Sequence, residues 1–161
     1  MLNIKKYSHL HFIIIFSIFA LCFAYFVEFA LNHKPCNLCL LQRIPYIAAI
    51  FLISLIFILN KYKILISKII MIFFIFGALI SFYHLGIERG FFIESFVCIS
   101  DINKKVLSAS ELLEELKNSK ISCKEVSFTI LGVSLATLNT IISLGLSAIM
   151  FLNLNKNDEV I

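Results

Sequence analysis

Four apolar stretches, each near 20 residues long, constrain the fold of this chain more than any other feature. A helix needs about 20 apolar residues to cross roughly 30 Å of hydrocarbon. The stretches predict spans at about residues 12–31, 44–60, 65–87 and 128–152. The sequence therefore predicts an all-α integral membrane protein, with residues 1–161 forming a single domain.

Composition supports a membrane protein and argues against a nucleic-acid partner. The chain is 60% hydrophobic and 15% charged, whereas soluble domains carry roughly 25% charged residues. The net charge is +4, but the lysines lie in short flanks and loops, without a basic stripe or a nucleic-acid motif. We therefore expect membrane lipid, and no nucleic acid, around this chain.

The distribution of lysine predicts the orientation in the membrane. Four spans place both termini on one side, and the outward loops would cover residues 32–43 and 88–127. The long loop follows the positive-inside rule poorly, so the density of charge in short segments decides. The lysines on the side of the termini are Lys5, Lys6, Lys61, Lys63, Lys68 and Lys156. We expect both termini in the cytoplasm and both loops outside it.

The first apolar stretch has a second interpretation, as a cleaved signal peptide, because Lys5 and Lys6 precede it. Its apolar run is closer to 20 residues than to the 7–15 of a signal core, and no clear A-x-A site follows. We therefore expect a retained span.

The long loop contains one pattern typical of a short amphipathic helix, "LSASELLEELKN" at 107–118. Ser108 and Glu111 are spaced as a capping box, and three leucines form an apolar stripe. A helix on the membrane surface and a helix packed on the spans both fit this pattern.

Five cysteines are present, and four of them fall in the two outward loops. Cys36 and Cys39 form a C-x-x-C, while Cys98 and Cys123 lie in the long loop. Cysteines in an oxidising compartment normally form disulfides, so inert structural bridges are one interpretation. Cys22 lies in the first span, where a thiol behaves as a small hydrophobic group.

The C-x-x-C favours redox chemistry, because one thiol can readily close onto the other. A thiolate is stabilised near a helix N-terminus and near a cation. Pro35 before the pair and Arg43 after it are consistent with both. On a helix Cys39 and Arg43 would share one face. Pro45 would either kink that helix or mark a fresh start.

Metal binding is the alternative use of the same cysteines. C-x-x-C is also a zinc spacing, but the other two cysteines do not form a second C-x-x-C and no histidine follows at finger spacing. Covalent haem in its usual form is excluded because Leu40, rather than histidine, follows Cys39. We expect no metal.

Three segments in order resemble the family of disulfide bond formation protein B, the membrane partner of the periplasmic oxidant DsbA. They are "PCNLCLLQRIPY" at the second span, "FYHLGIERGFF" at the end of the third, and "CKEVSFTILGVSLATLN" before the fourth. A cysteine in each half of the second loop adds to the match. The resemblance runs from the first span to about Asn139.

The resemblance implies a four-helix bundle in the bacterial inner membrane, with the cysteine loops in the periplasm and a bound ubiquinone or menaquinone. It implies a thiol:quinone oxidoreductase in which Cys36 and Cys39 exchange electrons with the quinone. Cys39 would lie closest to the quinone ring and would be the charge-transfer thiolate. Arg43 would assist quinone reduction, and His84 would lie near the head group.

The family pattern also gives Cys98 and Cys123 a role: they would exchange with a reduced DsbA-like protein of thioredoxin fold. Cys98 would form the mixed disulfide with that partner. Electrons would then pass from the loop pair to the C-x-x-C and on to the quinone.

Two other classes of function remain as alternatives. A bacterial homologue of vitamin K epoxide reductase also couples a C-x-x-C to quinone, but usually carries it late in the chain. A structural or metal-binding membrane protein could use the same four cysteines without catalysis.

Quinone reduction consumes two protons, for which His84, Glu88 and Glu28 are candidates. Interfacial solvation is the alternative for Glu28, and a hydrogen-bonded interfacial role for His84.

Overall fold

The computed structural model describes residues 8–94, 98, 123–124, 129–130 and 132–158. Its helices are α1 (Ser8–Phe29), α2 (Asn37–Leu41), α3 (Ile44–Ile58), α4 (Lys63–Glu88) and α5 (Leu135–Asp158). A 3-10 turn over Asn60–Tyr62 joins α3 to α4, and a short two-stranded antiparallel ladder precedes α5. The predicted amphipathic helix at 107–118 lies outside the described residues.

Four helical segments are long and apolar enough to cross a membrane. Their bounds are Ser8–Phe29, Asn37–Ile58, Lys63–Glu88 and Leu135–Asn155. The prediction of an all-α membrane bundle with four spans is confirmed. The segment bounds differ from the predicted ones mainly at two N-termini, where local hydrogen bonding rather than hydropathy decides the start of a helix.

The second spanning segment begins at Asn37, ahead of the predicted start at residue 44, because Cys36 caps α2. The Cys36 Sγ accepts a hydrogen bond from the Cys39 backbone N–H at 3.3 Å. Pro45 then interrupts the helix, since proline offers no N–H to the preceding turn. It occupies the first turn of α3, where a missing N–H costs little. Of the two outcomes the sequence allowed at Pro45, the structure shows a fresh helix start.

The fourth spanning segment begins at Leu135, later than the predicted start at residue 128. Thr129–Ile130 pairs with Val133–Ser134, and this ladder uses the residues before the helix. The Ser134 Oγ then accepts a hydrogen bond from the Thr137 backbone N–H at 3.3 Å, which caps α5. The helix therefore begins at Leu135, after its Ser134 cap, although the apolar stretch in the sequence begins earlier.

The buried core lies where α3 and α4 meet α1 and α5. It is built from aliphatic residues with Tyr46 and Phe74 among them; the full set is Leu10, Ile13, Tyr46, Ala49, Ile53, Ile56, Ile66, Ile70, Phe74, Leu146 and Met150. Large apolar side chains such as Phe19, Phe51 and Phe76 are exposed on the outer surface. Such a surface suits a protein whose surroundings are lipid.

Helix α4 ends where the chain must turn toward the second loop. Gly90 adopts a φ of 75°, the left-handed region that glycine enters without a Cβ penalty. The Phe91 N–H donates to the Gly86 carbonyl at 2.8 Å and the Gly90 N–H to that of Ile87 at 3.0 Å. These bonds form a Schellman motif, which closes α4 just beyond Glu88.

Candidate functional site

The two cysteine pairs meet at one end of the bundle. Cys98 and Cys123 form a disulfide, with their Cα atoms 5.4 Å apart. They pack in one buried cluster with Cys36, Leu38 and Ile87. The pair at the start of α2 and the pair between α4 and α5 therefore lie close together, although Cys39 and Cys98 are 59 positions apart in the sequence.

Cys36 and Cys39 are free thiols held face to face. Their sulfur atoms are 2.8 Å apart, within hydrogen-bonding reach. Cys36 is 2% exposed and stands at the N-terminus of α2, where the helix dipole favours a thiolate. The hydrogen bonds from the Cys39 thiol and from His84 lower the pKa of the Cys36 thiol to about 4, against the opposing effect of burial.

His84 and Glu88 extend this cluster from the last two turns of α4. The His84 Nε2 lies 3.6 Å from the Cys36 Sγ and 3.8 Å from the Glu88 Oε1. The Glu88 Oε2 is buried and has no hydrogen-bond partner among the described residues. The ligand atoms of Cys36, Cys39 and His84 all lie within 4.8 Å of one another, so the cluster offers the donor types that zinc accepts.

Arg43 pairs with a carboxylate from another helix. Its Nη1 donates to the Glu28 Oε2 at 2.6 Å, and its guanidinium lies 4.7 Å from the centre of the Tyr25 ring. The side chains of Arg43 and Glu28 are 12% and 23% exposed. The arginine is therefore a fixed, largely desolvated cation whose charge is partly neutralised by Glu28.

A cavity of about 360 Å³ opens beside these groups. Its polar end contains Cys39, Arg43, His84, Glu28 and Glu88. His33, Lys34, Gln42 and Asn139 also line the cavity. Much of the remaining wall is apolar and is formed mostly by α1 and α5; it includes Phe16, Phe19, Ala20, Phe23, Ala24, Val27, Ala136 and Ile142. Cavities that bind small organic molecules have this size and this pairing of an apolar wall with a few convergent polar groups.

A chain of buried polar side chains continues from the site into the membrane span. The Gln42 Nε2 lies 2.9 Å from the His84 Nδ1, and the Gln42 Oε1 accepts from the Asn139 Nδ2 at 3.0 Å. Asn139 also donates to the Ser81 Oγ at 2.6 Å and accepts from the Tyr46 hydroxyl. Sequence reasoning missed these residues. The signal was available, since polar side chains within a span are functional candidates by default.

Comparison with known proteins is decisive at the level of the family. A family model described as "Disulfide bond formation protein DsbB" matches residues 6–153. The chain belongs to the DsbB family. It is also 32% identical, over 155 residues, to an uncharacterized protein of Rickettsia prowazekii (strain Madrid E), an overlap of 92% of this chain and 87% of the relative. No solved structure matches the chain significantly.

Membership of the DsbB family makes this chain a multi-pass membrane protein with thiol–disulfide oxidoreductase activity. The resemblance drawn from the sequence motifs is thereby confirmed. DsbB proteins use quinones as a family, and the cavity beside Cys39 has the apolar wall and polar end that such a molecule requires. The roles of individual residues within the family chemistry stay predictions.

The structure places all six predicted site residues at the same end of the bundle. Cys36, Cys98 and Cys123 share the buried cluster, while Cys39, Arg43 and His84 line the cavity. Cys22 is an exposed free thiol on α1 and does not line that cavity. Glu28, for which interfacial solvation was one expectation, forms the ion pair with Arg43 and keeps 23% of its side chain exposed.

Proposed function

We propose that this DsbB-family protein is a thiol:quinone oxidoreductase that reoxidises a periplasmic, DsbA-like dithiol protein of thioredoxin fold. Electrons pass from the partner to Cys98 and Cys123, then to Cys36 and Cys39, and then to a membrane quinone. One observation carries the proposal: the two cysteine pairs pack against each other, and Cys39 also lines the cavity with the apolar wall.

The exchange between the pairs balances as two successive thiol–disulfide steps. A thiolate of the reduced loop pair attacks the Cys36–Cys39 disulfide, and the second loop thiol then displaces the mixed disulfide. Two electrons leave the loop pair, which becomes the Cys98–Cys123 disulfide. Two protons leave with them; one remains on the reduced C-x-x-C and one goes to water.

Redox energetics require an acceptor beyond the protein. A stable structural disulfide lies below about −300 mV and DsbA near −120 mV. Passing two electrons from DsbA to such a bond would be uphill by ~180 mV, or about 8 kcal/mol. The loop disulfide therefore has to be more oxidising than a structural bridge, and electrons have to be drawn onward. A quinone, when bound, accepts two electrons and two protons.

The residues around the cavity fit a quinone, and ubiquinone and menaquinone both suit the same features. The apolar wall of α1 and α5 would hold the ring and the start of the isoprenoid tail. Arg43 would stabilise negative charge at the polar end. Glu88 lines the same end of the cavity, and its buried Oε2 has no hydrogen-bond partner among the described residues.

The location follows from the same chemistry. The thiols have to face the oxidising periplasm and the quinone lies in the bilayer, so the protein would lie in the bacterial inner membrane. Lysine density in the short flanks supports cytoplasmic termini and periplasmic cysteine loops.

The test is a coupled assay with purified protein, a reduced DsbA-like protein and a water-soluble quinone analogue. We expect the quinone absorbance to decay with two thiols oxidised per quinone. Cys39→Ser should abolish the decay, and the matched control Cys22→Ala should retain the rate within about threefold because Cys22 does not line the cavity. Quinone decay that continues in Cys39→Ser would refute the proposal.

A further inference from the structure

The direction of every hydrogen bond in the buried polar chain can be deduced from its far end. The Ser81 hydroxyl donates to the Gly77 backbone carbonyl at 2.8 Å, and a carbonyl can only accept. The single proton of Ser81 is therefore committed. Asn139, 2.6 Å from the same oxygen, has to present its amide N–H₂ group to Ser81.

The orientation of Asn139 fixes that of Gln42, and Gln42 fixes the tautomer of His84. The second N–H of Asn139 donates to the Gln42 Oε1 at 3.0 Å. With its oxygen accepting there, Gln42 has to offer its Nε2–H₂ to the His84 Nδ1 at 2.9 Å. The Nδ1 of His84 is then an acceptor, so the proton of the neutral ring lies on Nε2.

We propose that Ser81, Asn139 and Gln42 are positioning residues that hold His84 as a neutral imidazole with its proton on Nε2, aimed at Cys36. The His84 Nε2 lies 3.6 Å from the Cys36 Sγ and 3.8 Å from the Glu88 Oε1, and the ring also lies within hydrogen-bonding reach of the Cys123 backbone. When the C-x-x-C is reduced and Cys36 is a thiolate, His84 donates a hydrogen bond to that sulfur. This step moves no proton and no electron.

The proton on the His84 Nε2 distinguishes this role from two others that the same residues could have, general base and metal ligand. A general base at Cys36 needs a lone pair on Nε2, but that nitrogen already carries the proton. A metal held by Cys36, Cys39 and His84 needs the same lone pair. To free that lone pair, the proton would have to move to Nδ1. The Gln42 amide would then have to rotate, and it would lose the hydrogen bond that it accepts from Asn139. The network therefore favours a thiolate over a bound metal.

The tautomer can be measured without any assay of activity. The protein, labelled with ¹⁵N-histidine, reduced and held in lipid nanodiscs at about pH 8, above the ordinary histidine pKa, gives ring-nitrogen shifts for each histidine. His84→Gln identifies the His84 signals among the four histidines of the chain. We expect a protonated Nε2 and an unprotonated Nδ1. A protonated Nδ1, alone or together with Nε2, would overturn the proposal.

Substitutions along the chain test whether it sets the tautomer. An aspartate at position 139 can only accept, so Asn139→Asp should turn Gln42 over and move the His84 proton to Nδ1. Ser81→Ala frees Asn139 to rotate and should give a mixture of tautomers, which Ser81→Thr should reverse. Ser17→Ala is the matched control, since Ser17 is equally buried and its hydroxyl is unpartnered among the described residues.

Unchanged His84 shifts in both Ser81→Ala and Asn139→Asp would show that the network does not position the ring. If the buried charge of Asn139→Asp prevents folding, the comparison of Ser81→Ala with Ser81→Thr still decides.

The consequence for rate rests on the proposed function. Complete loss of one hydrogen bond to a charged group would lower quinone turnover about tenfold. Because Ser81→Ala gives a mixture of tautomers, its turnover should fall by a smaller factor and recover in Ser81→Thr. Wild-type turnover in Ser81→Ala, despite a mixed tautomer, would overturn the positioning role. Absence of quinone reduction in the wild-type protein would instead refute the proposed function and leave the tautomer measurement standing.

Discussion

At the scale of single residues, the chemistry depends on how burial is compensated. Cys36 is 2% exposed, an environment that by itself disfavours a thiolate. The Cys39 thiol and His84 both lie within hydrogen-bonding reach of its sulfur, and Glu88 is the remaining ionisable group at this cluster. Because both groups face the Cys36 sulfur, we expect the reduced pair to carry its negative charge on Cys36. This differs from the family resemblance, which makes Cys39 the charge-transfer thiolate.

The pH dependence of the Cys36 thiolate follows from its lowered pKa of about 4. A thiol with a lowered pKa is ionised above that value, so the thiolate absorbance of the reduced protein should stay constant from about pH 5.5 to about pH 8. Cys39→Ala removes the largest stabilising contact and should move the midpoint upward, whereas Cys22→Ala should not. Absorbance that rises with a midpoint near pH 8.5, the ordinary value for cysteine, would contradict this.

The ion pair between Arg43 and Glu28 sets the expected effect of replacing the arginine. Removing a well-aimed transition-state charge costs ~10²–10³ in rate, but Glu28 already neutralises part of this one. Arg43→Gln should therefore lower quinone kcat/KM about tenfold to a hundredfold, and Arg43→Lys, which keeps the charge but loses the planar fork, should lower it less. Steady-state quinone kinetics would measure both.

A double-mutant cycle with Glu28→Gln separates stability from catalysis at the same pair. Arg43→Gln alone leaves a desolvated carboxylate, so adding Glu28→Gln should recover part of the lost thermal stability but none of the quinone kinetics. Arg89→Gln, at an exposed arginine beyond α4, is the control. Wild-type quinone kinetics in Arg43→Gln would reduce Arg43 to a structural partner of Glu28.

At the scale of helices, the sequence predicted the number of spans well and their ends poorly. Hydropathy detects the apolar interior of each span, but the starts of α2 and α5 depend on caps at Cys36 and Ser134. Hydropathy also could not predict which residues of neighbouring helices pack against each other. Gly77 of α4 lies against Pro45 at the break between α2 and α3, and nothing local in the sequence indicates which residues oppose each other across helices.

The contact between Gly77 and Pro45 predicts a specific cost for adding one methyl group. A Cβ at residue 77 would lie 2.8 Å from the Pro45 Cγ, so Gly77→Ala should lower the free energy of unfolding by ~1–3 kcal/mol through overpacking. Gly145→Ala in α5 is the matched control, because a Cβ there meets nothing within 4 Å. Thermal unfolding in detergent would compare them. Equal midpoints for the two variants would contradict the close packing.

At the scale of the whole molecule, the site is a meeting of distant segments. The sequence supplied the C-x-x-C, Arg43 and His84, and the family resemblance supplied their grouping with Cys98 and Cys123. Spacing alone could not join the cysteine pairs, because they are far apart in the sequence and belong to different segments. It also could not find the bond between Gln42 and Asn139: the sequence marks each as a polar residue in a span, but it does not show that they face each other.

Orientation can be tested at the two ends of the bundle with a matched pair of exposed positions. Arg89 lies at the cysteine end of α4 and Lys61 precedes its opposite end. A membrane-impermeant maleimide should label Arg89→Cys in intact cells, and Lys61→Cys only after the inner membrane is opened, because short lysine-rich flanks stay in the cytoplasm. The reverse pattern would place the cysteine loops in the cytoplasm.

The central claim is that electrons run from the loop pair through the C-x-x-C to quinone, and a single-turnover measurement tests it most directly. Without quinone, Cys39→Ser should still oxidise one equivalent of a reduced DsbA-like protein through Cys98–Cys123, and then stop even when quinone is added. Cys123→Ser should trap a mixed disulfide between that partner and Cys98, since the resolving thiol is gone. A trapped complex through Cys36, or continued turnover in Cys39→Ser, would contradict the relay.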